Sequence, residues 1–243
     1  MLTTPFHTLI RVDGGDASLF LQGQLTCDIN QVSATPHLAA QCNPKGRVIS
    51  LFWISQKQQL FSLCLPTDLV RIAVPHLQKY SRLFRACTIE VTAVQEPLDQ
   101  QQWRLQQIQQ GIPVIYAASS GLFLPQDLNL PQLDAVSFNK GCYTGQEVIA
   151  RMHHLGKPKR HLYSMMLETS TVPAPADSLS LPSAPLNAIG YIVDAVRVGS
   201  RVATTAVLTT HAIRDKAHLP LLINQQQVTA QQLHRGVAHF TAD

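Results

Sequence analysis

The chain has 243 residues, 45% of them apolar and 14% charged, with a formal net charge of +4. That balance speaks against a disordered chain and allows one compact unit or two to three small domains. No apolar run approaches the roughly 20 residues that cross a bilayer. The N-terminus shows no basic region ahead of an apolar core, so the expected compartment is the cytoplasm, with no membrane partner.

Val12-Asp13-Gly14-Gly15 predicts a turn, after which Asp16 caps a short helix with Ala17, Phe20, Leu21 and Leu25 on one face. Asp28 follows in a loop, where an aspartate is ordinarily a turn or cap residue. His37 to Cys42 and Arg47 to Ser55 predict two strands joined by Asn43-Pro44-Lys45-Gly46, with proline and glycine where a turn wants them. Leu60 to Leu65 adds a strand. A helix from Thr67 carries Leu69, Ile72, Leu77 and Tyr80 and is expected to kink or break at Pro75. Thr88 to Val94 alternates as a half-buried strand does. A glutamine-rich helix over Gln100 to Gln110 keeps Trp103, Leu105 and Ile108 on one face and stops at Gly111. Segregated hairpin, strand and helix predict an α+β class.

After Arg160 the pattern changes to short strands. They are expected at Leu162 to Leu167, Ile189 to Val198, Val202 to Thr209 and Leu221 to Ile223, with a loop over Thr169 to Pro185. These predict a C-terminal β-barrel or sandwich, with domains over 1–160 and 161–243.

The chemistry concentrates in Lys140-Gly141-Cys142-Tyr143-Thr144-Gly145-Gln146-Glu147, continuing to Arg151. Thr144 and Glu147 have capping-box spacing, and Val148, Ile149, Met152 and Leu155 form an apolar stripe that Gly156 closes in the left-handed conformation. With Thr144 as N-cap, Cys142 lies just outside the positive end of the helix dipole and near the ammonium of Lys140. Both favour the thiolate, the reactive form. The plainer alternative is a cysteine acting as a small hydrophobe at a loop-to-helix junction. The chain's other cysteines (Cys27, Cys42, Cys64 and Cys87) form no C-x-x-C pair with it or with one another, which speaks against a disulfide framework and a metal site. Cys64 and Cys87 fall in strand-like stretches. Arg151, Lys157, Lys159 and Arg160, with His153, His154 and His161, form a basic patch that suits a phosphate, a nucleic acid or a polyanionic tail, or simply a solvated helix end. Without an aromatic–basic motif, direct nucleic-acid binding is not expected. His153 and His154 are expected on different helix faces.

The octapeptide running into Val148-Ile149-Ala150-Arg151 resembles the signature of the YgfZ family of folate-binding proteins. Phe20 to Thr26 with Asp28-Ile29, Asn43-Pro44-Lys45-Gly46-Arg47, Gly111-Ile112-Pro113 and Phe123-Leu124-Pro125-Gln126 resemble its other motifs. The resemblance implies an aminomethyltransferase (T-protein)-like folate-binding fold, here with a shortened middle region near Gln95 to Gln102 and a C-terminal barrel. It also implies tetrahydrofolate, or a one-carbon derivative, as cofactor, with Asp28, Gln109 and Gln126 as contacts. Cys142 becomes the working thiol, with Lys140 tuning it and the remaining motif residues supporting it. The implied role is accessory: iron–sulfur cluster assembly or repair with effects on tRNA modification, and iron–sulfur proteins or cluster-assembly factors as partners. Two alternatives remain open: a folate-dependent one-carbon transferase, and a nucleic-acid-binding or scaffold protein. The transferase is weakened because T-proteins carry an aspartate pair where this chain has Ser50-Leu51.

Overall fold

The structure is a computed structural model that describes residues 6–93, 99–213 and 218–236. Val94 and the linker up to residue 98 lie outside the described residues, as does the N-terminus read above for a leader. The chain divides into two compact units. The first gathers residues up to Pro97, Ile115–Pro125 and Leu130–Gly156; the second gathers Leu98–Val114, Gln126–Asn129 and the stretch from Lys157.

An antiparallel sheet of five strands forms the first unit, in the order β2-β3-β4-β1-β5. The strands are β1 (His7–Asp13), β2 (His37–Cys42), β3 (Val48–Lys57), β4 (Leu60–Pro66) and β5 (Thr88–Ala93). The turn between β2 and β3 forms as its residues demand. The Asn43 carboxamide accepts from the amides of Lys45 and Arg47, both at 3.0 Å, an Asx turn that fixes the hairpin register. Helix α1 (Ala17–Gln24) buries Ala17, Phe20 and Leu21. Asp16 stands at its cap position, but its carboxylate accepts from the Ala86 amide at 3.0 Å rather than from the helix. Helix α2 (Val70–Ser81) runs through Pro75 without a break. Proline removes one amide donor there, and the burial of Ala73, Val74 and Leu77 on the inner face outweighs that loss. β5 is an edge strand, and Val91 is 48% exposed rather than half-buried as alternation suggested.

In the second unit a barrel closes in the order β10-β11-β6-β9-β8-β7. Its strands are β6 (Arg160–Glu168), β7 (Ser178–Leu181), β8 (Ala184–Val198), β9 (Arg201–Thr209), β10 (His218–Ile223) and β11 (Gln226–His234). Alternate residues fill it, among them Tyr163, Met165 and Leu167 from β6 and Leu219, Leu221 and Ile223 from β10. Closure leaves no open sheet edge, which explains how weak strands persist. β7 lies inside the expected loop over Thr169 to Pro185, and β11 answers to no expected strand. A four-residue, serine-rich strand and a glutamine-rich one carry too few apolar residues to announce themselves.

Helix α3 (Gln100–Gln110) matches its expected bounds, with Asp99 capping through the Gln101 amide and Gly111 closing it in the left-handed conformation. It belongs to the barrel unit. Ile108 packs with Met166, Val196 and Ala203. The Arg104 guanidinium pairs with the buried Asp194 carboxylate and donates to the Ala195 carbonyl at 2.8 Å.

Candidate functional site

The site is built on a short crossing segment in the first unit. Thr26 is sewn into its surroundings on every side. Its amide donates to the Ala40 carbonyl at 2.9 Å, its hydroxyl donates to the Ala135 carbonyl at 2.6 Å, and its carbonyl accepts from Ser137 at 2.8 Å. This fixes Leu25 to Cys27 as a rigid strip of backbone beneath the loop that carries the motif.

Lys140 fastens the loop to that strip. Its ammonium donates to the Leu25 carbonyl at 2.8 Å and to the Cys27 carbonyl at 2.7 Å, with Nζ 5.1 Å from the centre of the Tyr143 ring. The Thr144 amide adds a bond to the Gly23 carbonyl at 3.2 Å. Burial pulls the Lys140 ammonium down to about 8, against the opposing fields of Cys27 and Asp28. Burial likewise pushes the Cys27 thiol up to about 11, the Cys42 thiol up to about 12 and the Tyr143 phenol upward. These two thiols are inert packing groups. Of the five cysteines, Cys142 is the exposed one, while Cys64 and Cys87 are intermediate.

Helix α4 (Gln146–Leu155) follows, and its start corrects the expected capping box. The cap is Gly145 at φ 85°, and no side chain caps the helix. A Cβ on Gly145 would lie 2.5 Å from the Asn43 carbonyl oxygen, so only glycine lets this loop press onto the β2–β3 turn. Gly46 meets it from the other side and packs under Val148. That contact, not Thr144, sets where the helix begins. Cys142 therefore stands off the helix mouth, beyond Tyr143 and Thr144, and the ammonium of Lys140 is directed to carbonyls. Gly156 is extended (φ −95°, ψ 159°) rather than left-handed. Of the apolar stripe only Ile149 is buried; Val148 and Leu155 are exposed. Together with Glu147, Arg151, Met152 and Gly156 they line an open groove of about 410 Å³.

Asp28 caps the turn at Ile29–Gln31, accepting from the Gln22 carboxamide at 2.9 Å and the Asn30 amide at 3.1 Å. These bonds, led by Gln22, hold its carboxyl below the usual range. Gln109 is half-buried on α3, and Gln126 is buried in the chain before Asn129; both belong to the second unit. The more buried glutamine of α3 is Gln107, whose Oε1 has no partner among the described residues. Ser50 is fully buried in β3. His153 and His154, expected on different faces, bring their rings to 4.9 Å, and His153 stacks on Phe138 at 3.7 Å with 16° between planes. Among the described residues no group of three or more histidine, cysteine or acidic side chains is placed to hold a metal.

No family model matches the chain. Curated relatives do. The tRNA-modifying protein YgfZ of Colwellia psychrerythraea is 29% identical, over 64% of this chain and 68% of the relative. The YgfZ of Sodalis glossinidius is 30% identical, over 71% of this chain and 73% of its own length. That of Shigella boydii serotype 4 is 30% identical, over 74% and 76%. The chain belongs to the YgfZ family. The fold agrees with the resemblance: the glycine cleavage system aminomethyltransferase T of Bartonella henselae superposes with a TM-score of 0.70 at 11% identity, over 97% of this chain and 83% of that one. For a YgfZ-family chain the expected α+β class with a C-terminal barrel is thus correct.

Sequence reasoning placed the thiol and missed what holds it. The signal for the glycine contact was present, since Asn43 to Gly46 and Gly145 both belong to motifs, but nothing in either indicated that they meet. The Phe138–His153–His154 cluster left no signal, because ring contacts across a loop have no sequence period.

Proposed function

We propose that this chain is a tetrahydrofolate-binding accessory protein of iron–sulfur cluster assembly or repair that supports tRNA modification, with Cys142 as its working thiol. The observation that carries the reading is the exposed Cys142 on a loop whose other contacts are all fastened. Lys140 and Thr144 bond to the backbone below, Tyr143 is buried and Gly145 is wedged on a turn. A loop built this way presents one soft sulfur at a fixed point, where it can meet iron, sulfide or the thiol of a client protein. The name shared by the relatives supports the tRNA link, and the T-protein-like fold supports folate.

Lys140 is given a different part from the one its position suggested. It positions the loop rather than tuning the thiol. Asp28 is partly exposed and held ionised by its cap bonds, so it suits the donor edge of a pterin, which presents adjacent N–H groups to a carboxylate. Gln109 and Gln126 are the proposed carboxamide contacts, and the folate supplies one-carbon or redox chemistry when bound. A transferase would need a carboxylate at Ser50-Leu51, and that strand supplies a buried hydroxyl instead. Clients are cluster-containing enzymes or assembly factors, and the working compartment is the cytoplasm.

The test is rescue of a deletion strain with expression matched between variants. Cys142→Ala is expected to lose support of cluster-dependent enzymes and of the tRNA modifications that depend on them, while calorimetry still shows tetrahydrofolate binding. Full rescue by the alanine variant would assign the motif to structure alone. Absence of folate binding by the wild-type chain would remove the cofactor from the reading and leave the thiol.

A further inference from the structure

We propose that the ring cluster of Phe138, His153 and His154 is a stacking platform for an unpaired base of single-stranded RNA. The inference goes beyond the thiol reading and does not depend on it. Phe138 opens the motif loop, and His153 lies near the end of α4; their planes lie 3.7 Å apart, inclined by 16°. His154 stands edge-on to both, 4.9 Å from His153 and 6.2 Å from Phe138. Both imidazoles are exposed while Phe138 is half-buried beneath them. A buried aromatic cluster would be core. Here two of three rings face solvent, and a hydrophobic core explanation does not apply to them.

What such a surface fits follows from its shape and charge. A planar stack accepts another planar heteroaromatic ring at van der Waals spacing, and histidine and phenylalanine both serve as stacking partners for splayed bases. Base edges need no matching donor pattern for this, so the platform is sequence-tolerant. Cations of the same unit flank it. Arg151 is exposed two residues before His153, and Lys45 is exposed on the turn that packs against the first turn of α4. The one acid of α4 is Glu147, at the end of the helix away from the rings. Rings beside cations suit a flexible strand whose phosphates are neutralised while one base stacks. A duplex, with its bases already stacked and paired, offers the rings nothing. The absence of an aromatic–basic motif in the linear sequence is therefore made good in three dimensions.

The experiment is fluorescence anisotropy of a short labelled single-stranded oligoribonucleotide at low salt, with the duplex of the same sequence alongside. The wild-type chain is expected to bind the single strand more tightly than the duplex. His153→Ala/His154→Ala is expected to weaken single-strand binding roughly 5- to 100-fold, as loss of one base stack does. His153→Phe keeps a stacking ring and is expected to retain binding, which separates stacking from a general loss of charge. Unchanged thermal unfolding and Cys142 alkylation in each variant establish that the loop is intact. Equal binding by the double alanine variant, equal binding of duplex and single strand, or no binding by the wild type overturns the proposal. Displacement of the oligonucleotide by free tetrahydrofolate in the wild type but not in the alanine variant would assign the platform to a pterin and overturn it as well.

Discussion

Two cations fasten two parts of this molecule, and they do so by opposite means. In the first unit Lys140 reaches the carbonyls of Leu25 and Cys27 and meets no carboxylate in direct contact. In the second, Arg104 pairs with the buried carboxylate of Asp194 and also donates to Ala195, tying α3 to the barrel. The Arg104 pair is closed: both charges are compensated, and the planar fork fits its partner. The Lys140 clip satisfies its hydrogen bonds but leaves its charge incompletely balanced, and burial lowers its pKa to about 8. A compensated pair suits a permanent joint. An ammonium on carbonyls makes a weaker joint, suited to a loop that presents a reactive sulfur.

The sharpest way to break this contrast is at Asp194. Asp194→Ala leaves the guanidinium of Arg104 without its carboxylate and is expected to cost about 3–5 kcal/mol, read from the urea midpoint. Replacing both partners with Leu or Met of similar volume should recover most of that loss, because no buried charge then remains. If the single and double variants are equally unstable, the joint is packing rather than charge.

Gly145→Ala tests the first unit's reliance on backbone contact. The new Cβ would meet the Asn43 oxygen in a conformation that side chains disfavour. A loss of about 1–3 kcal/mol is expected, with faster proteolysis at the motif loop. Wild-type stability would show that the β2–β3 turn yields.

Lys140→Met is expected to cost less, about 1–2 kcal/mol at neutral pH, because lost charge-assisted bonds are offset by relief of desolvation. Its pH dependence carries the diagnosis. The folded chain releases the Lys140 proton near 8 and the unfolded chain near 10.4, so between these values the unfolded state binds more protons. Wild-type stability relative to Lys140→Met should therefore rise as pH rises through that window and fall again as pH drops towards 8. A difference that does not change with pH would mean that the ammonium is effectively solvated.

The smallest stability effect is expected at Cys142. Cys142→Ala should alter stability by no more than about 0.5 kcal/mol, since the side chain is exposed. Iodoacetamide should modify Cys142 before Cys27 and Cys42, both buried. Faster modification at either buried thiol would show that the strip beneath the loop opens more readily than the loop itself.

The sequence by itself determined the secondary elements wherever apolar period and turn chemistry agree: β2, β3 and the Asx turn between them, α1, α3 with its cap and its left-handed stop, and β6, β8 and β9 in their central parts. It also marked the octapeptide, because that run of residue types is unusual enough to be read without neighbours. Only the tertiary structure decided where α4 begins, since the close approach of Gly145 to Asn43 joins residues far apart in the chain. It likewise decided that Lys140 grips carbonyls, that Asp16 binds Ala86 and that Pro75 is tolerated. Weak strands such as β7 and β11 exist because the barrel closes around them, and three rings of unrelated position form one surface because a loop folds back onto a helix. In each case the deciding force is a contact between distant residues, which has a geometry but no sequence period.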